Sequence, residues 1–240
     1  MQLDEKWSFV AKKQKHCDPA DEADCLRGDQ WDHVALDPDS RLVLEVVVGP
    51  RTPESAELLL EGVRARLGGR PPELVTSDEY PVYPEALLSV FGEERTPPRT
   101  GRPGRPAGPR RVLPEGMCHA TVHKTRERGR VTAVAERVAF GELGEGQSVN
   151  TSYVERHNAS DRHRNARKGR KTYRFSKDWD VHLAMTRFTM FAANFCWPVR
   201  TLRVRVGRGR WRRRTPAMVA GLTDHVWPLE EWLTLPGVQR

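Results

Sequence analysis

Three acidic residues in three different settings carry the chemistry this chain is able to do. Asp4 lies in Leu3-Asp4-Glu5-Lys6-Trp7, Asp78 in Val75-Thr76-Ser77-Asp78-Glu79-Tyr80, and Glu155 in Asn150-Thr151-Ser152-Tyr153-Val154-Glu155-Arg156-His157-Asn158. Carboxylates are hard oxygen ligands, and three that converge bind a pair of divalent cations of the kind that drive phosphodiester chemistry. The chain holds 32 acidic residues, so their spacing alone says little and their local company says more. Asp4 falls on the strand face opposite Trp7 and Phe9, which leaves one face for chemistry and the other for burial. Asp78 falls at the end of a strand, where α/β sheets present ligand groups. Glu155 precedes Asn158 and Arg162 by three and seven residues, which shares one face if the stretch is helical. By itself Glu155 reads equally well as a surface ion pair.

The elements that must position these groups follow from periodicity. Leu3 to Val10 alternates as a strand, and Lys12 to Gln30 is a polar excursion. His33 to Leu36 and Leu42 to Val48 flank Asp37-Pro38-Asp39-Ser40, a hairpin signal. Thr52-Pro53-Glu54 opens a helix that Gly68-Gly69 ends. Leu74 to Ser77 reads as a short strand and Pro84 to Phe91 as a helix. Residues 92–116 are rich in Pro, Gly and Arg and read as an insertion or arm. Strands follow near Ala120 to Lys124 and Val131 to Phe140, then a helix from Thr151 towards Arg167. Another helix starts near Ser176-Lys177-Asp178 and stops at Pro198, with Phe188, Phe191 and Phe195 as its core stripe. A very basic tail, 199–240, ends in a short helical segment. A meander of three strands, a helix, a strand and then mixed elements predict α/β layering around a mixed sheet.

Charge points to a partner. The chain has 40 Lys and Arg against 32 Asp and Glu, a net charge of +8, which favours a polyanion by counterion release. Arg156, Arg162, Arg164, Arg167, Lys168, Arg170 and Lys171 are denser than a solvated face needs, and with Asn158 they read as contacts to DNA phosphate. Arg102 and Arg105, each flanked by Gly and Pro, suit an arm lying in a minor groove, and a plain flexible loop fits them as well. Arg203, Arg205, Arg208, Arg210 and Arg212 to Arg214 read as a tail that tracks DNA. Cys118, His119 and His123 lack a fourth ligand and read as structural. The four cysteines show no framework spacing, and no apolar run spans a bilayer, so the expectation is a soluble, cytoplasmic, nucleoid-associated protein with reduced thiols.

In Leu3-Asp4-Glu5-x-Trp7, Thr76-Ser77-Asp78 and Asn150 to Arg156, the chain resembles the catalytic part of bacterial DDE transposases of the insertion-sequence-1 type. The likeness continues through Gly101 to Pro106, Asp161 to Lys168, Arg174 to Trp179 and Asn194 to Arg200. It implies a ribonuclease H-like fold over residues 1–198, a mixed five-stranded sheet flanked by helices, with Asp4 on the central first strand. It implies Asp4, Asp78 and Glu155 as catalytic ligands of two magnesium ions, with manganese as a substitute. The implied reaction is DNA cleavage by water followed by attack of the freed 3′-hydroxyl on target DNA. Element ends, target DNA and an oligomer assembled on DNA are the implied partners. Two alternatives stay open, a ribonuclease H-like nuclease or resolvase and an inactive DNA-binding remnant. Glu79 stands where the family more usually has glycine, and a carboxylate there could repel its neighbour or compete for metal. Relatives usually carry a zinc-binding segment and a helix-turn-helix ahead of the first ligand, so an upstream-frame DNA-binding protein or segment is a further expected partner, whether the chain is a frameshift product or a truncated copy.

Overall fold

In the computed structural model, residues 1–97 and 108–235 are described. The run from Leu3 to Val10, with Leu3 and Val10 buried at its two ends, forms β1 (Gln2–Val10), which pairs antiparallel with β2 (Gly28–Leu36). β2 pairs antiparallel with β3 (Val43–Gly49). The excursion between β1 and β2 holds two short 3-10 turns. Thr52 caps α1 (Pro53–Arg66) by accepting from the Ser55 amide, and β4 (Leu74–Ser77) returns parallel to β1. α2 (Tyr83–Phe91) follows, then a small hairpin of β5 (Glu93–Arg95) and β6 (Arg110–Val112) that brackets the Pro/Gly/Arg-rich stretch. Arg102 and Arg105 lie outside the described residues.

β7 (Cys118–Glu127) joins β4 in parallel, and β8 (Arg130–Phe140) folds back along it antiparallel. The sheet therefore has six strands in the order β3-β2-β1-β4-β7-β8, not the five expected. The extra strand is β8, whose eleven residues are all exposed, so no helix covers it. α3 (Ser152–Arg164), a 3-10 turn at Ala166–Lys168 and α4 (Trp179–Cys196) complete the layers. What reads as a basic tail is a hairpin, β9 (Val199–Gly207) and β10 (Arg210–Arg214), followed by α5 (Pro216–Val219) and α6 (Leu229–Thr234).

Among the described residues, the two larger of three hydrophobic clusters lie on opposite faces of the sheet. Leu3, Ala35, Leu59, Leu60, Val75 and Leu87 pack where α1 and α2 cover one face. Val34, Leu36, Val43, Val46, Val154 and Met190 pack where α3 and α4 cover the other. Alternation along β2 sends Ala35 to the first and Val34 and Leu36 to the second. The buried line of α4 is His182, Thr186, Thr189, Met190 and Ala193, whereas Phe188, Phe191 and Phe195 are only partly buried. Phe195 instead stacks on Trp227 and Trp232, with ring centroids at 4.4 and 5.3 Å, and so anchors the C-terminal segment. Among the described residues no helix is long and apolar enough to cross a membrane.

Candidate functional site

β1 and α3 run side by side as a ladder of polar rungs. Gln2 Oε1 accepts from the Tyr153 and Val154 amides at 3.1 and 3.0 Å, which supplies the N-terminal cap that Thr151 does not. Asp4 Oδ2 accepts from Asn158 Nδ2 at 2.8 Å, and the Lys6 ammonium meets Asp161. Two strand residues advance about 6.6 Å and three to four helix residues about 5 Å, so the rungs stay nearly in step. The start of α3 is also tied to β4, where Thr76 Oγ1 donates to the Asn150 carbonyl at 2.7 Å. Glu155, in the first turn of α3, is thereby held beside β1 and β4, the strands that carry Asp4 and lead to Asp78.

Asp4 feels the other two carboxylates. Burial pushes the Asp4 carboxyl up to about 6; Asn158 opposes this, and the charges of Asp78 and Glu155 push it further. Asp78, half-buried just past β4, accepts from the Tyr80 amide at 3.1 Å. Glu155 is exposed and accepts from Thr151 Oγ1 at 2.5 Å and from the Lys124 ammonium. The donor set suits a hard cation: it is all oxygen, and the mutual repulsion at Asp4 is what a cation relieves. Asn158 Oδ1 adds a buried oxygen that has no hydrogen-bond partner, next to Asp4. The cluster is not drawn tight. Among the described residues no three His, Cys, Asp or Glu side chains stand close enough to hold a metal ion. Glu155 is engaged instead by Lys124 on β7 and by Thr151 at the start of its own helix.

Several expected DNA contacts have other work. Lys168 is sealed inside, where its ammonium donates to Asp32 at 2.6 Å and to Ser8 and His182 at 3.2 and 2.9 Å. It cannot reach a phosphate, because the Asp32 charge would be left buried alone. Asn158 is also buried and serves Asp4 rather than DNA. Arg156, Arg164 and Lys171 are exposed, and Arg164 lies over the Trp197 ring at 4.8 Å. Arg162 and Arg167 are half-buried. Burial and the nearby Arg170 lower the Arg162 pKa, and Asp4 acts in the opposite sense, so Arg162 stands within electrostatic reach of the site. Glu79 is engaged by His123 and, at 3.2 Å, by Arg137. His119 Nε2 pairs with Ser77 Oγ at 3.1 Å, and burial lowers its pKa to about 4.

Two clusters escape a reading of motifs. On the β1 face away from Asp4, Glu5 is buried beside Leu3 and accepts from Tyr83 Oη and from Arg51 at 2.9 Å. Arg51 in turn lies 4.1 Å over Tyr80 and 5.0 Å from Trp31. Burial lifts the Glu5 carboxyl to about 7; Tyr83 and Arg51 oppose this, and Asp78 adds to it. On the Asp4 face, Lys6, Asp32, Lys168 and Asp161 form a closed group of two cations and two anions with side chains at most 1% exposed. Burial alone would raise the Asp32 carboxyl, yet the Lys168 and Lys6 ammonium groups hold it at about 2. His182, lowered to about 4 by burial and by Lys168, is neutral; its Nε2 accepts from Lys168 and its Nδ1 donates to Ser176 at 2.8 Å. The expected division of β1 into a chemical and a burying face is thus corrected. Both faces are buried and polar near the site, and Trp7, 37% exposed, is the residue that faces out.

Comparison with protein-family models, with curated proteins and with solved structures gives no match to this chain.

Proposed function

We propose that the chain is the catalytic part of a DDE-type transposase and carries out metal-dependent cleavage and strand transfer of DNA on a ribonuclease H-like core. The observation that carries this reading is the placement of Asp4 on β1, Asp78 just past the parallel neighbour β4, and Glu155 in the first turn of the helix bonded to β1, with the charges of Asp78 and Glu155 both felt at Asp4. The strand order β3-β2-β1-β4-β7, with the first three antiparallel and the next two parallel to β1, supports the ribonuclease H-like assignment.

Asp4, Asp78 and Glu155 would hold the magnesium or manganese ions, which supply activation of the attacking oxygen and stabilisation of the leaving one. The chain's own groups do the rest. Asn158 fixes the Asp4 carboxylate in place. Lys124 balances Glu155 in the absence of an ion and gives way when one arrives. Arg156, Arg162 and Arg164 place positive charge along α3 for the phosphates that flank the scissile bond. The sealed lysine and aspartate group keeps α3 in register with β1.

The test is a labelled duplex carrying an element end, incubated with the chain, target DNA and magnesium. Asp4→Asn, Asp78→Asn and Glu155→Gln are each expected to abolish cleavage and strand transfer with unchanged circular dichroism. Any one of them that retains activity removes that residue from the triad. Cleavage without joined product would assign the chain to hydrolytic nucleases instead.

A further inference from the structure

A dense run of charge lies on the β9–β10 hairpin. From Val199 to Arg214, eight of sixteen residues are arginine and none is acidic. The arginine ion pairs among the described residues belong elsewhere, to Arg27, Arg51, Arg66, Arg95 and Arg137. Arg212 has Asp224 within electrostatic reach, but that carboxylate is already engaged by His225 at 2.7 Å. Like charges packed this closely repel, and a fold keeps them together when something outside neutralises them.

The hairpin is ordered to present that charge. Trp211 pairs with Arg205 across the ladder, so both share a face with Arg203, two residues along β9. The Arg203 guanidinium lies 4.6 Å from the Trp211 ring centroid, yet Trp211 remains 52% exposed. A planar cation on a half-open indole is a preformed platform for phosphate and base. Gly209, with φ of 70°, makes the turn that sets Arg208 and Arg210 at the tip. The base of the hairpin is fixed: Leu202 is buried, Arg214 Nε donates to its carbonyl at 2.9 Å, and Thr215 caps α5.

The hairpin also continues the basic surface of α3. Trp197, which lies under Arg164, is followed only by Pro198 before β9 begins. Nine residues of helix separate Glu155 from Arg164, roughly 14 Å along the axis.

We infer that the β9–β10 hairpin is a second DNA-binding surface, a two-stranded ribbon that grips the phosphodiester backbone of duplex DNA beyond the carboxylate site. A ribbon of this width enters a major groove, and each phosphate it neutralises releases counterions. The inference takes DNA as its ligand from the proposed function, but its geometry does not depend on the carboxylates being catalytic.

The test measures affinity of the full chain for a short fluorescein-labelled duplex by anisotropy over a range of salt concentrations. Replacing Arg203, Arg205 and Arg210 together by Gln should reduce the log-affinity against log-salt slope by about 2–3, close to 0.9 per lost phosphate contact. The corresponding triple Lys variant should keep most of the slope. In the unaltered chain, duplex should protect the same three arginines from phenylglyoxal, read by mass spectrometry. An unchanged slope in the Gln variant, or equal modification with and without duplex, overturns the proposal. So does a variant that loses only its sedimentation with phosphatidylserine vesicles, which would assign the hairpin to membranes. A chain that cuts nothing but whose Gln variant loses slope keeps the hairpin and removes the catalytic reading.

Discussion

Asp4 and Lys6 are neighbours on one face of one strand, and their surroundings solve opposite problems. Around Lys6 the charges balance: two ammonium groups face two carboxylates, all of them sealed from water. Around Asp4 they do not, because burial is combined with two further carboxylates, and the groups that donate to it, Asn158 and the Glu5 backbone, are neutral. A low-dielectric interior makes matched charges into a rigid joint and leaves unmatched ones waiting for a counterion. The comparison explains why the joint lies next to the site. The stabilising cluster holds α3 in place and so allows the neighbouring residues to stay uncompensated.

The largest effect should come from breaking the joint. Lys6→Ala leaves Asp32 and Asp161 buried with one cation between them, and should cost about 3–5 kcal/mol in urea denaturation. Lys6→Met combined with Asp161→Leu should recover much of that loss, since an apolar pair needs no partner. A cost of less than about 1 kcal/mol for Lys6→Ala, the scale of an exposed pair, would mean that water reaches the cluster and that the two regions do not differ as argued.

The same experiment on the open side should have the opposite sign. Asp4 is held at about 6 against an ordinary 3.8, so its proton is bound more tightly in the folded chain. Below about pH 4 both states are protonated and nothing is lost; as pH rises to about 6 the folded state becomes less stable, by about 2–3 kcal/mol once Asp4 is ionised. Asp4→Asn should therefore be more stable than the unaltered chain at pH 8 and lose that advantage near pH 4. Asp32 behaves in reverse: held at about 2, it contributes stability fully above its ordinary 3.8, and this is lost as pH falls towards 2. Magnesium should raise the melting temperature of the unaltered chain at pH 8 and leave Asp4→Asn where it is. An Asp4→Asn protein that is less stable at pH 8 would show that the carboxylate is satisfied after all.

These two regions also mark what a sequence discloses. Local signals were legible: the Thr52 cap, the strand Leu74–Ser77 and the helix stop at Pro198 depend on neighbours in the chain. Asp4, Asp78 and Glu155 stood out through their motifs, although their electrostatic contact depends on strand order. The lysine joint was invisible. Lys and Asp are almost never buried without partners, and here the partners lie up to 155 residues apart. Lys168 therefore read as part of a DNA-facing run, although its neighbours Arg164 and Lys171 do face out. The Phe188 stripe failed for a related reason. The sheet asks α4 for small and polar residues where it closes on Ser8 and Asp32; Phe191 packs at the edge of the second core, and Phe195 holds the C-terminal segment. The basic tail became a hairpin because Leu202, Val204 and Gly209 supply a strand and a turn that its arginines had obscured.

The smallest effect, and the finest test of the open side, concerns Lys124. It sits on β7, meets Glu155 and also donates to Thr151 at 3.3 Å. The pair is exposed, with 26% and 43% of the two side chains accessible, so it contributes about 0.2–1 kcal/mol. If Lys124 competes with an ion for Glu155, Lys124→Ala should lower the magnesium concentration for half-maximal cleavage by up to about fivefold, the factor that 1 kcal/mol represents. Lys124→Arg should leave the midpoint near that of the unaltered chain. A raised midpoint in Lys124→Ala would give the ammonium a different task, holding a DNA phosphate at the mouth of the site, and Glu155 would then need its lysine to work at all. An unchanged midpoint would place the competition elsewhere, since Thr151 is the other group that draws Glu155 aside.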